Sequence, residues 1–172
     1  LLALENAQLT DQVTMTATGV SGVTDGGASI SSQVDEVFTV EQCLYAIMVA
    51  SANDIALQIA EHVGGSVDNF VQMMNSRAQE LGCTNTVFTN PTGLPDDNQH
   101  TTAHDMALIM QAAIQSESFR TIAAATSYTI PATNKAADRN LTSKFTMTDT
   151  ASTGFYEGCI GGKEGYTEAS GS

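Results

Sequence analysis

Ser51-Ala52-Asn53 places a hydroxyl and a carboxamide between two apolar helical runs. Polar groups in such a setting need hydrogen-bond partners or a chemical purpose. Standing alone, the tripeptide reads first as an ordinary cap between two helices. A second candidate is Gly161-Gly162-Lys163-Glu164-Gly165-Tyr166-Thr167, a lysine flanked by glycines on an expected strand. Glycine lets a ligand approach the backbone closely, and Lys supplies a positive field for a carboxylate. Standing alone, the segment also reads as a turn with a solvated lysine. His100 and His104 are four apart, but Thr102 reads as a helix start and leaves His100 in a loop. With no third ligand in view, no metal site is expected.

These residues must be held by elements, and the pattern supplies them. Leu1-Leu2-Ala3-Leu4-Glu5-Asn6 reads as the end of an amphipathic helix whose start is missing. Val13, Met15 and Ala17 alternate as in a short strand, and Asp25-Gly26-Gly27 reads as a turn. Thr39 and Gln42 form a capping box before a nearly all-apolar helix from Cys43 to Ala50. A second helix runs from Ile55 to Val63 and stops at Gly64-Gly65. Ser66 caps a third, with Phe70, Met73, Met74, Arg77, Ala78 and Leu81 on one face. A loop over 83–100 leads to a helix begun by Thr102, whose Met106 and Met110 are expected in the core. A short helix follows around Ser118 to Ala125, and strands are expected at Tyr128-Thr129-Ile130 and from Cys159-Ile160 into Lys163.

Bulk composition excludes several functions. The 172 residues carry 19 Asp+Glu against 6 Lys+Arg, a net charge of -13. Such a surface repels phosphate backbones, so nucleic acid is a poor partner. The longest apolar run, Leu44 to Ala50, is too short to span a bilayer. Cys43, Cys83 and Cys159 are odd in number and widely spaced, so no disulfide framework can be read and one bridge stays open. Cys43, inside the apolar helix, is expected as a buried thiol.

Between the first two motifs stands Phe88-Thr89-Asn90-Pro91-Thr92-Gly93-Leu94-Pro95, followed by Thr101-Thr102-Ala103-His104-Asp105. In this order, S-x-N, F-x-N-P-x-G-L, T-T-A-x-D and a lysine segment, the chain closely resembles the serine D-alanyl-D-alanine carboxypeptidases, the low-molecular-mass penicillin-binding proteins. Ala60 to Ser66 and Met74 to Gly82 fit the same pattern, and the resemblance covers essentially all 172 residues.

The resemblance implies acyl-enzyme chemistry on the D-Ala-D-Ala end of peptidoglycan stem peptides, outside the cytoplasmic membrane, with no cofactor. It makes Ser51 the proton relay, Asn53 the orienter of the substrate amide and Lys163 the electrostatic lysine. Glu164, Gly165 and Tyr166 become the substrate-binding strand, the Tyr166 N–H donating to the oxyanion. It implies an α/β (α+β) fold: an antiparallel sheet flanked by helices, plus a mainly helical region. About 39 to 126 would form the helical region, and 1–38 with 127–172 would be parts of the α/β region. Two departures stand out. The family's S-x-x-K is absent, because Ala132, Leu141 and Ile160 stand three before the only lysines. The nucleophile is expected upstream of Leu1, which leaves the chain truncated at both ends and inactive by itself, with β-lactams acylating only the longer protein. Glu164 also replaces the Thr of K-T-G, which puts recognition of the substrate carboxylate in doubt and favours the alternative of a degenerate homologue that binds wall peptides or a partner without turnover. A sheet lacking strands predicts self-association through open edges. A class A β-lactamase is disfavoured, since no E-x-x-L-N segment is present.

Overall fold

The computed structural model describes residues 1–23 and 27–168. Asp25 and Gly26 of the expected turn lie outside the described residues. Seven helices and four strands follow one another along the chain among the described residues. They are α1 (Leu2–Asn6), β1 (Gln12–Thr14), α2 (Ala17–Ser21), β2 (Val37–Thr39), α3 (Val40–Ala50) and α4 (Asn53–Gly64). Then come α5 (Val67–Glu80), α6 (Ala103–Ala113), α7 (Glu117–Ala123), β3 (Ser127–Ile130) and β4 (Arg139–Thr142).

Helix α3 is the hub. It packs against α4, α7, β2, β3 and β4, and it buries Val40, Cys43, Ala46 and Val49. The Thr39 side chain accepts from the Gln42 N–H while Gln42 reaches back to the Thr39 N–H, the expected capping box. Gly65 (φ 74) ends α4 in the left-handed conformation a Cβ would disfavour. Ser66, Thr102 and Ser116 cap α5, α6 and α7 through their hydroxyls.

The strands form two antiparallel pairs. In β1–β2, Val13 lies opposite Phe38; in β3–β4, Tyr128 lies opposite Leu141. Both pairs turn apolar side chains onto α3: Val13, Phe38, Ile130 and Leu141 join Cys43, Ala46, Ile55 and Ile59 in one core. Tyr128 stacks on Tyr45 of α3, ring centroids 3.9 Å apart. A buried ion pair ties the two pairs together. Glu36 accepts from both Arg139 guanidinium nitrogens at 2.8 and 3.0 Å, and Arg139 lies 5.7 Å over the Phe38 ring.

Four expectations are corrected. Ala17 belongs to α2, not to the strand, because the Thr16 hydroxyl accepts from the Thr18 N–H and starts a helix there. Strand β4 was not foreseen; its sequence Arg-Asn-Leu-Thr shows no apolar alternation. Met106 and Met110 are 42% and 44% exposed rather than core; α6 instead turns Asp105 and Ala113 inward. Residues 161–166 form no strand; the Gly162 N–H donates instead to the Ala123 carbonyl of α7.

The three cysteines are free, Cys43 and Cys83 being buried. Burial, reinforced by the Asp54 carboxylate, raises the Cys43 thiol far above its usual range, so it is inert packing. No described helix is long and apolar enough to cross a membrane.

Candidate functional site

Ser51 terminates α3 at φ 56, ψ 35, a left-handed conformation uncommon for a residue with a side chain. Its neighbours force the bend. The Ala52 N–H returns to the Ala46 carbonyl at 3.3 Å, and α4 begins immediately at Asn53, which is 7% exposed. The Asn53 backbone N–H donates to the Ala28 carbonyl at 2.8 Å. Neither the Ser51 hydroxyl nor the Asn53 carboxamide has a hydrogen-bond partner among the described residues. Two polar side chains are thus held at a helix junction by backbone contacts alone and left with their bonding capacity unspent. That is what a site needs if it is to take a peptide amide.

The loop before α6 is organised by its own side chains. Asn90 Oδ1 accepts from the Thr92 N–H, the Thr92 hydroxyl and the Gly93 N–H, while its Nδ2 donates to the Leu94 carbonyl. Gly93 turns at φ 77 to allow this. Gln99 Oε1 accepts from the N–H groups of Thr89 and Asn90. Asn75 of α5 brackets Phe88, donating to its carbonyl and accepting from its N–H, both at 2.8 Å. Asp105, 1% exposed, accepts from the Asn85 N–H and the Thr86 hydroxyl. The Thr86 bond leads in holding its carboxyl below the usual range, with Asn85 and His104 adding to it against burial. These residues give the F-x-N-P-x-G-L and T-T-A-x-D stretches a physical role that spacing alone did not reveal. The sequence signal for them is a density of Asn, Gln and Thr around Pro91 and Gly93.

Lys163 sits at the mouth of a cleft of about 550 Å³ whose walls include Ile47 of α3, Asn90, Thr92, Gln99 and Thr101. The ammonium is solvent-exposed, yet these walls partly desolvate it and lower its pKa, while the Glu164 carboxylate acts the other way. Its Nζ donates to the Glu164 carbonyl at 2.8 Å. The glycines before it serve packing rather than ligand approach. The Gly162 N–H donates to the Ala123 carbonyl at 3.1 Å. A Cβ on Gly161 would come within 2.7 Å of that carbonyl oxygen, and one on Gly162 would collide with the Phe145 ring. Gly165 has open space around it, and Glu164 and Tyr166 are exposed. Ser51 and Asn53 therefore form one locus. Lys163 faces another, sharing helix α3 through Ile47, and neither Ser51 nor Asn53 lines its cleft.

An apolar groove of about 290 Å³ adjoins that cleft, lined by Leu1, Leu44, Ile47, Ile59, Phe70 and Ile122 among others. His104 lies beside Asp105, His100 is in the loop as expected, and no described group of side chains could hold a metal ion.

The arrangement, a central apolar helix ending in a left-handed serine, an ordered N-P-x-G-L loop and flanking antiparallel strands, superposes on DD-peptidases and DD-transpeptidases. The match to known proteins narrows this: residues 2–172 fit the D-alanyl-D-alanine carboxypeptidase family, peptidase S11, and the chain belongs to it. DacF, a D-alanyl-D-alanine carboxypeptidase of Bacillus subtilis, is 36% identical over 83% of this chain and 35% of its own length. DacB2 of Mycobacterium tuberculosis is 32% identical over 92% of this chain and 54% of its own length. Among solved structures, a D-alanyl-D-alanine carboxypeptidase of M. tuberculosis H37Rv superposes with a TM-score of 0.84 at 29% identity, over 98% of this chain and 60% of that one. The Streptomyces K15 DD-transpeptidase superposes at 0.86 with 25% identity, over 97% and 67%. The chain thus spans between a third and about half of the length of these curated relatives.

Proposed function

We propose that these residues carry the substrate-orienting part of a serine D-Ala-D-Ala carboxypeptidase acting on peptidoglycan stem peptides in the cell envelope, outside the cytoplasmic membrane. The observation that carries the reading is the Ser51–Asn53 junction, with its left-handed serine and a carboxamide that makes no hydrogen bond to the described residues and keeps its polar atoms open to solvent. In the reaction, a serine hydroxyl supplied by an S-x-x-K motif upstream of Leu1 adds to the carbonyl carbon of the penultimate D-Ala and gives its proton to the motif's lysine. Asn53 holds the substrate amide. The oxyanion takes an N–H from the Tyr166 backbone once Glu164, Gly165 and Tyr166 pair as a strand. When the C–N bond breaks, the Ser51 hydroxyl relays a proton to the departing D-Ala amine, and Lys163 supports this step by its positive field. Water then hydrolyses the ester, releasing the shortened peptide. A β-lactam enters the same sequence as an acylating analogue.

The division of the chain into a helical region, about 39 to 126, and two α/β parts, 1–38 and 127–172, belongs to the same reading. So does self-association of the chain through the open edges of its two strand pairs. The test is release of D-alanine from a D-Ala-D-Ala peptide by the longer protein containing this chain. Ser51→Ala and Asn53→Ala should each lower kcat by roughly 10²-fold or more. Retention of wild-type kcat by both would remove the site from these residues. Glu164 supports one second reading, a homologue that binds wall peptides without turnover. Peptide binding with no D-alanine release by the longer protein would establish it.

A further inference from the structure

Asp54, next to the Ser51–Asn53 junction, is 1% exposed. Its carboxylate is the only side-chain acceptor that ties α4 to the segment before β2 between Ser29 and Ser32, among the described residues. Oδ2 accepts from the Ser29 hydroxyl at 2.8 Å, the Ser32 hydroxyl at 2.7 Å and the Ser32 N–H at 3.1 Å. Oδ1 lies 3.4 Å from the Ile30 N–H. The same segment supplies the Ala28 carbonyl to which the Asn53 N–H donates. A clamp results, with Asn53 fixed by the segment and the segment fixed by Asp54. A buried carboxylate with this many donors is stiff, since each lost bond leaves an unsatisfied group.

We propose that Asp54 is a positioning residue, locking the 28–32 segment so that it sets the direction of the Asn53 side chain and the start of α4 beside Ser51. Asp54 touches no substrate; it acts through Ala28 and Asn53. The inference rests on the function proposed above, and two readouts keep their failures apart.

The first uses the chain as it stands. In Asp54→Asn, where Nδ2 meets an N–H or hydroxyl donor, the amides of Ile30, Ser32 and Asn53 should exchange at least about tenfold faster, with Ile59 unchanged. Ser29→Ala/Ser32→Ala, which keeps the carboxylate, should give a smaller change at the same amides and serves if Asp54→Asn does not fold. The second uses the longer protein. Per penicillin-titrated site, kcat should fall at least about tenfold in Asp54→Asn with KM within roughly twofold. Glu61→Gln is the control: Glu61 also accepts side-chain bonds on α4, from Thr16, Thr18 and Gln58, but about two turns further along the helix from Ser51. It should lower Tm and leave kcat per site unchanged. Unaltered exchange at the three amides, or an equal loss of kcat per site in Glu61→Gln, overturns the proposal. If the wild-type longer protein neither titrates nor turns over, the carboxypeptidase reading falls, and the exchange readout alone decides the role of Asp54.

Discussion

At the residue scale, Glu164 sets the sharpest test of specificity. A carboxylate where the family has Thr repels the substrate's terminal carboxylate by up to a few kcal/mol once water is excluded. In the longer protein, Glu164→Thr should lower KM for a D-Ala-D-Ala peptide by roughly tenfold or more; identical kinetics would show that Glu164 points away. Glu36 contributes to the acid limit of the fold. Burial pushes its carboxyl up, but hydrogen bonds from Arg139, Thr133 and the Gln33 N–H, with the Arg139 charge, outweigh it and hold the pKa below the usual value. A depressed folded-state pKa means stability that is present above the unfolded value near 4.5 and lost as pH falls through the folded one. Glu36→Gln should cost about 3 kcal/mol near neutrality by leaving Arg139 unpaired, and should flatten the acid limb of a Tm-against-pH curve. The break between α3 and α4 at Ser51 to Asn53 was legible because polar residues stood between apolar runs. Asp54 was not: its neighbours Ser29 and Ser32 lie more than twenty positions away, and one sequence does not say which carboxylate meets which hydroxyl.

Elements were legible where capping and periodicity agreed. Thr39, Ser66 and Thr102 each cap the helix expected of them, because a hydroxyl at an N-cap is a local device that needs no tertiary partner. Thr39→Ala should cost about 1 kcal/mol and lower Tm by roughly 2–4 °C, measured calorimetrically; an unchanged Tm would mean the capping box adds nothing to α3. Elements failed to show where pairing or packing decides them. Strand β4 exists by pairing with β3, and in the 161–166 segment the Gly162 N–H goes to the Ala123 carbonyl of α7 rather than to a strand. The α6 face is rotated by the buried Asp105, so helical spacing alone misplaced Met106 and Met110.

On the scale of the whole molecule, the order of motifs gave the family, since order survives where individual spacings fit many folds. The site's spatial arrangement was not legible. Lys163 follows Ser51 in sequence, but the glycines before it dock on Ala123 and Phe145 and turn it toward the 90–101 loop. Two strand pairs without further described partners leave open edges, opposed by a net charge of -13. Light scattering should find association that rises with protein concentration and with salt, as screening weakens the repulsion; a monomer at high salt and high concentration would refute it. The function proposed for Ser51, Asn53 and Lys163 needs an S-x-x-K serine that the 172 residues do not contain. Intact-mass analysis after incubation with a penicillin tests it most directly. A one-to-one covalent adduct is expected on the longer protein and none on the 172 residues. An adduct on the 172-residue chain, or none on the longer protein, would contradict it.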